Sequence, residues 1–204
     1  MTTRIPALAA ALLLAAPAAS PAQTTHDFEG IATPAAAGFT APLASIGPYQ
    51  FENFRVMSTA ETFGAGANAS SGVNFAYGLV GAGASYIYRA DRNFNLFDAY
   101  LSFRTFDGDA SPATVVVRGY RGPAEVFART LTLTNAAQHF TLDFTNVEEV
   151  AFETGALDAA RSAVLAVDDV TIGAVPEPGT VALAATGVLL VAGVASRRRG
   201  SRAA

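Results

Sequence analysis

Residues 23–174 of this 204-residue chain predict an all-β fold, a two-sheet β-sandwich, and three observations carry that reading. Apolar and polar residues alternate at period two: Phe97, Ala99, Leu101 and Phe103 against Asp98, Tyr100, Ser102 and Arg104, then Phe140, Leu142 and Phe144 against Thr141 and Asp143. Turn-forming residues separate such stretches at short intervals, as at Asp107-Gly108-Asp109 with Pro112 and at Gly119-Tyr120-Arg121-Gly122-Pro123. No run in this region keeps a helical period through three turns. Strands that each bury one face are closed by packing one sheet on another, and the length suits one domain with a real core.

In chain order the predicted strands are 24–28, 49–57, 85–89, 97–104, 114–120, 125–133, 140–144, 147–152 and 164–172. Aromatic residues mark 49–57 and 85–89, and β-branched ones mark 114–120, 125–133 and 164–172, the types that pack well on a pleated surface. Residues 64–84, rich in Gly, Ala, Ser and Asn, read as a long loop with one strand near 73–77, since glycine weakens strand interiors. In the last strand the alternation of Ala166, Val170 and Ile172 places Asp168 on their inward face, where an unpaired carboxylate is costly. A hard, oxygen-loving cation offsets that cost, and so does an arginine or a set of turn N–H groups.

The two ends carry different information. Residues 1–22 hold Arg4, an apolar stretch at 7–16, breaks at Pro17 and Pro21, and small residues Ser20 and Ala22 before Gln23, the pattern of a cleaved secretory signal. Residues 175–204 hold Pro176-Glu177-Pro178, an apolar run at 180–195, and then Arg197, Arg198, Arg199 and Arg202. A helix over that run rises about 1.5 Å per residue and falls short of the roughly 30 Å of a bilayer core, so it is a weak transmembrane span. The arginines hold its end in the cytoplasm and leave everything N-terminal outside.

This tail resembles the PEP-CTERM sorting signal of bacterial exported proteins, in which the tripeptide, the single short span and the terminal arginine cluster follow in this order. The resemblance implies an exosortase, a membrane-embedded processing enzyme, as partner. It also implies delivery to the cell envelope or extracellular space in exopolysaccharide-producing, biofilm-forming bacteria. A permanently anchored surface protein is the alternative. The middle of the chain is similar to the jelly-roll domains found upstream of such signals, themselves similar to carbohydrate-binding modules, through Asp27-Phe28-Glu29, the Gly119-Tyr120 turn and Ala166-Val167-Asp168-Asp169-Val170. That resemblance implies neighbouring first and last strands and a structural Ca²⁺ held by Glu29 and Asp168 with help from Asp27.

Composition excludes several chemistries. Cysteine is absent, which removes disulfides and thiol catalysis, and all 13 basic residues are arginine. Residues 23–174 carry 8 arginines against 16 acidic residues, a net charge of −8 that repels nucleic acid and suits cations or neutral glycans. Only His26 and His139 are present, without zinc-ligand spacing or a Gly-x-Ser-x-Gly elbow, so hydrolase chemistry is poorly supported. Both histidines read as surface residues. Tyr77, Tyr86, Tyr88 and Tyr100 are the candidate aromatics for sugar stacking, and Glu148, Glu149 and Glu153 the carboxylates that a glycosidase reading would use. The expectation is an exported, non-enzymatic surface or matrix protein, glycan-binding or structural; the alternative is a glycan-acting enzyme on the same sandwich.

Overall fold

The computed structural model describes residues 22–32, 41–59, 65–66, 69–78, 83–105, 111–153 and 163–175, and every regular element there is a β-strand. One compact unit runs Ala22–Val175. The expected signal segment and sorting tail lie outside the described residues, among which no helix is long and apolar enough to cross a membrane.

The strands are β1 (Gln23–His26), β2 (Ala41–Ile46), β3 (Tyr49–Ser58), β4 (Ala65–Gly66), β5 (Asn74–Gly78), β6 (Ala84–Tyr88), β7 (Phe94–Thr105), β8 (Ala113–Arg121), β9 (Ala124–Leu133), β10 (Gln138–Val147), β11 (Glu149–Glu153) and β12 (Ala163–Ala174). Hydrogen bonding runs β10-β7-β12-β5-β3-β6-β11-β8-β9, with β1 on β12, β2 on β3 and β4 on β7, all antiparallel. β2 and β4 have no counterpart among the predicted strands, and β5 is the strand expected near 73–77.

This ladder folds into two layers because β3 belongs to both. Its first half, Gln50 to Glu52, pairs with β6, and its second, Phe54 to Ser58, pairs with β5. Asn53 makes the change of direction with φ 60, a left-handed conformation that asparagine tolerates far better than β-branched residues do. Its amide donates to the Ala84 carbonyl at 3.0 Å, and its own carbonyl accepts from the Ser85 hydroxyl at 3.0 Å. The first layer is then β10, β7, β12 and β5, the second β6, β11, β8 and β9. Phe54 meets Phe152 and Tyr49 meets Phe94 edge-on across the core, while Phe127 stacks on Phe144 with centroids 5.1 Å apart. The sandwich predicted from alternation is the observed architecture.

One predicted face is corrected. Phe97 does not share the core face of Ala99, Leu101 and Phe103; the residues buried with them from the start of β7 are Phe94 and Leu96. Between Leu96 and Asp98 the partner strand β12 advances by a single residue, Ile172 to Thr171, so Phe97 is extra and turns outward. Its ring lies against Gly173, where any Cβ would stand 2.8 Å from the ring edge.

Replacing Asn53 with valine forces a β-branched residue into the left-handed region and removes one hydrogen bond, a combined cost of about 2–3 kcal/mol. The expected result is a melting temperature lower by roughly 5–10 °C. Asn53→Gly, which keeps the conformation, should lose clearly less, and equal losses would show that the bend is not set by backbone conformation.

Candidate functional site

Two regions gather polar side chains. The first is the junction where β12 changes its edge partner from β5, at Ala166 and Val167, to β1, at Val170 to Gly173. A β-bulge lies between, with Asp169 at φ 44. The bulge reverses the expected orientation of Asp168. Leu165 and Val167 face the core before it and Val170 and Ile172 after it, whereas Ala166 belongs to a separate outer cluster with Met57, Phe75, Tyr77 and Val164. Asp168 therefore follows Val164 and Ala166 onto the outer face, and it is buried at 2% exposure beside the 69–74 segment rather than in the sandwich interior.

Donors surround that carboxylate. Oδ2 accepts from the Ser70 N–H at 2.7 Å, the Ser71 N–H at 3.1 Å and the Ser70 hydroxyl at 3.0 Å, and Oδ1 accepts from the Asp169 N–H at 2.8 Å. Asp169 takes both serine hydroxyls, Ser70 at 2.6 Å and Ser71 at 2.8 Å. Glu29 reaches the same segment from the far side of β1, its Oε1 accepting from the N–H groups of Val73 at 2.7 Å and Asn74 at 2.6 Å. Gly72 permits this approach: φ is +52, and a Cβ would collide with the Glu29 carboxylate. Asp27 is exposed and accepts the Glu29 N–H at 3.2 Å. First and last strands are thus neighbours, and Glu29 and Asp168 converge on one loop, each through backbone N–H groups. Among the described residues no three His, Cys, Asp or Glu side chains group closely enough to hold a metal ion. Burial pushes the Asp168 carboxyl up to about 6, opposed by the Ser71, Asp169 and Ser70 hydrogen bonds and reinforced by the Asp169 charge.

The second region is the outer face of the second layer. Core residues Phe51, Ile87, Val150 and Val117 point inward, so their neighbours along each strand point out. One outer row runs Gln50, Tyr88, Glu149, Tyr120 and Glu125, and the next runs Glu52, Tyr86, Ala151, Arg118 and Ala128. Ala151 is a buried floor between Tyr86 and Arg118. Arg118 is held by Glu125 at 2.6 Å and Glu153 at 2.7 Å, which raises its pKa further. Glu149, by contrast, is raised by burial first and by the Glu52 charge second.

Of the four candidate tyrosines, Tyr86 and Tyr88 lie on this face. Tyr77 is buried at 8% exposure in the outer cluster of the first layer, and Tyr100 lies on that layer against His139, with ring centroids 5.1 Å apart. Tyr120 was missed. Its signal was the period-two step from Val116 through Arg118, opposite the core-facing Val115 and Val117. His26 is not the surface residue expected: it packs edge-on against Tyr49, its Nε2 is buried without a partner among the described residues, and burial lowers its pKa.

Residues 174–199 match the sequence-family model described as the PEP-CTERM protein-sorting motif, which indicates an exported protein sorted to the cell envelope or extracellular space. No curated protein matches the chain. Among solved structures it is similar to a family 29 carbohydrate-binding module at 9% identity and a TM-score of 0.42, covering 74% of this chain and 90% of that one. It is also similar to a CBM4 module at 20% identity and TM-score 0.30, covering 60% and 86%. A third is the enzymatically active domain of tailspike protein 4 of bacteriophage CBA120, at 9% identity and TM-score 0.32, covering 65% of this chain and 20% of that one.

A carboxyl raised from 3.8 to about 6 holds its proton more tightly folded than unfolded, so its contribution to stability is full below pH 3.8 and is lost as pH rises through 6. Asp168→Asn removes that titration while keeping an acceptor. In EDTA the variant should gain several degrees of melting temperature on the wild type between about pH 4 and 6, then hold constant above. A difference independent of pH would mean that Asp168 is not strained by burial.

Proposed function

We propose that this chain is an exported, non-enzymatic surface or matrix protein that binds glycan on the outer face of its second layer. The observation that carries the binding role is the pair of adjacent rows that bring Tyr86, Tyr88 and Tyr120 onto one face with Gln50, Glu149 and Arg118 beside them. Rings present apolar faces for sugar C–H groups, and the polar neighbours orient hydroxyls. The sorting match supports delivery by an exosortase. In this reading the 180–195 run crosses the inner membrane transiently, Arg197, Arg198 and Arg199 stay cytoplasmic, and Pro176, Glu177 and Pro178 are the recognition element. The destination is an exopolysaccharide or biofilm matrix.

A structural calcium ion belongs to the same proposal, at Asp168 with Glu29 and Asp27. It is supported by the neighbouring Asp168 and Asp169 carboxylates, which share the Ser70 hydroxyl, and by the arrival of Glu29 on the same loop. It requires Glu29 to exchange one N–H partner for the ion.

Intact-mass measurement of the native protein should show loss of everything after the Pro-Glu-Pro element, and a mature form that keeps Arg197 to Arg199 would establish permanent anchoring instead. Calcium at about a hundredfold over its Kd should raise the melting temperature by several degrees over EDTA. Superimposable melts would remove the ion and leave the N–H clasp alone.

A further inference from the structure

The outer face of the second layer is unevenly charged. Glu52, Glu125, Glu149 and Glu153 lie on it, and among the described residues Arg118 is the one basic side chain that the register places there. Arg118 is already bound by two of those glutamates, Glu125 and Glu153. Glu149 differs from both. Among the described residues no donor reaches its carboxylate, and it stands between Tyr88 and Tyr120 in one row, each its direct partner across a ladder. Direct partners on one face are roughly 5 Å apart at Cβ, so both rings flank the carboxylate. A carboxylate between aromatic rings is the arrangement that receives an ammonium group, through charge on one side and the ring quadrupoles on the others.

We propose that the ligand of this face is a glycan bearing protonated amines, of the glucosamine type, and that Glu149 selects it. The inference rests on the reading that the face binds glycan, and it narrows the class. Uronic-acid polymers are repelled by the net negative face, and N-acetylated sugars offer Glu149 no positive charge. The partial burial that raises the Glu149 carboxyl, with Glu52 adding to it, agrees with a group whose counter-charge arrives with the ligand.

Calorimetric titration of the purified full chain, at low salt and about pH 6, compares four oligomers of equal length: glucosamine, N-acetylglucosamine, glucose and galacturonate. The glucosamine oligomer should bind at least about tenfold tighter than the N-acetylated one. Glu149→Gln should abolish that preference without lowering the melting temperature. Glu148→Gln, which removes the same charge from an exposed residue off this face, should leave the preference intact. Equal binding of the amino and neutral oligomers, binding of the galacturonate, or equal losses in the two glutamine variants would overturn amine selection alone. No binding by any oligomer, or binding indifferent to Tyr88→Ala, would overturn the glycan reading with it.

Discussion

One strand shared by two layers is the constraint on which the remainder of the sandwich depends. β3 gives Gln50 and Glu52 to the outer face of the second layer, and a few residues later it pairs with β5, which leads directly out of the 69–74 segment. Both polar regions are therefore positioned from the bend at Asn53. With no cysteine in the chain, no disulfide holds the layers together, and closure falls to edge-on and stacked aromatics. Asparagine suits the bend for two reasons: it accepts the left-handed backbone, and its amide ties β3 to the start of β6.

The junction and the outer face show two fates for a carboxylate in the same fold. Desolvation raises both Asp168 and Glu149, since in each case burial penalises the charged form. Asp168 is deep, and four donors, three of them backbone N–H groups, offset its burial; that makes it a clasp that joins the last strand to the loop before β5. Glu29 does the same from the turn that follows β1. Because donors close the Asp168 carboxylate and, among the described residues, none reaches that of Glu149, the first is a structural group and the second a group that can meet a ligand.

Alternation made the strands legible, and bulges hid the parts that matter for the site. Period two located strands such as β8 and β10, which bury one face against the opposite layer, whereas β5 and β12 are buried on both faces. It misplaced Phe97 and Asp168 for one reason: an inserted residue flips the face of everything beyond it, and a single inserted residue leaves no mark on the sequence pattern. Asp168 was correctly expected to be buried, though the burial comes from the outer side and its partners are backbone groups that no sequence pattern displays. β2 lacked a signal because Leu43 alone is buried in it, and two-residue β4 is too short to show any period. Tyr120 was legible in principle. It sits in a predicted strand at the right parity, and was passed over because its glycine neighbour marked a turn.

The choice of arginine as the only cation bears on how this domain meets its surroundings. Arg89 contacts Asp91 at 2.6 Å and lies 5.6 Å over the Tyr49 ring, and Arg118 bridges Glu125 and Glu153. These planar groups are spent on local ties, for which a guanidinium is better shaped than an ammonium. Residues 23–174 nevertheless carry 16 acidic side chains against 8 arginines, a net charge of −8. Its field extends only about 10 Å at ordinary ionic strength, so it sets which polymers approach without holding any of them. In the proposed glycan-binding role, retention would depend on short contacts at the tyrosine rows, with charge selecting which sugars reach them.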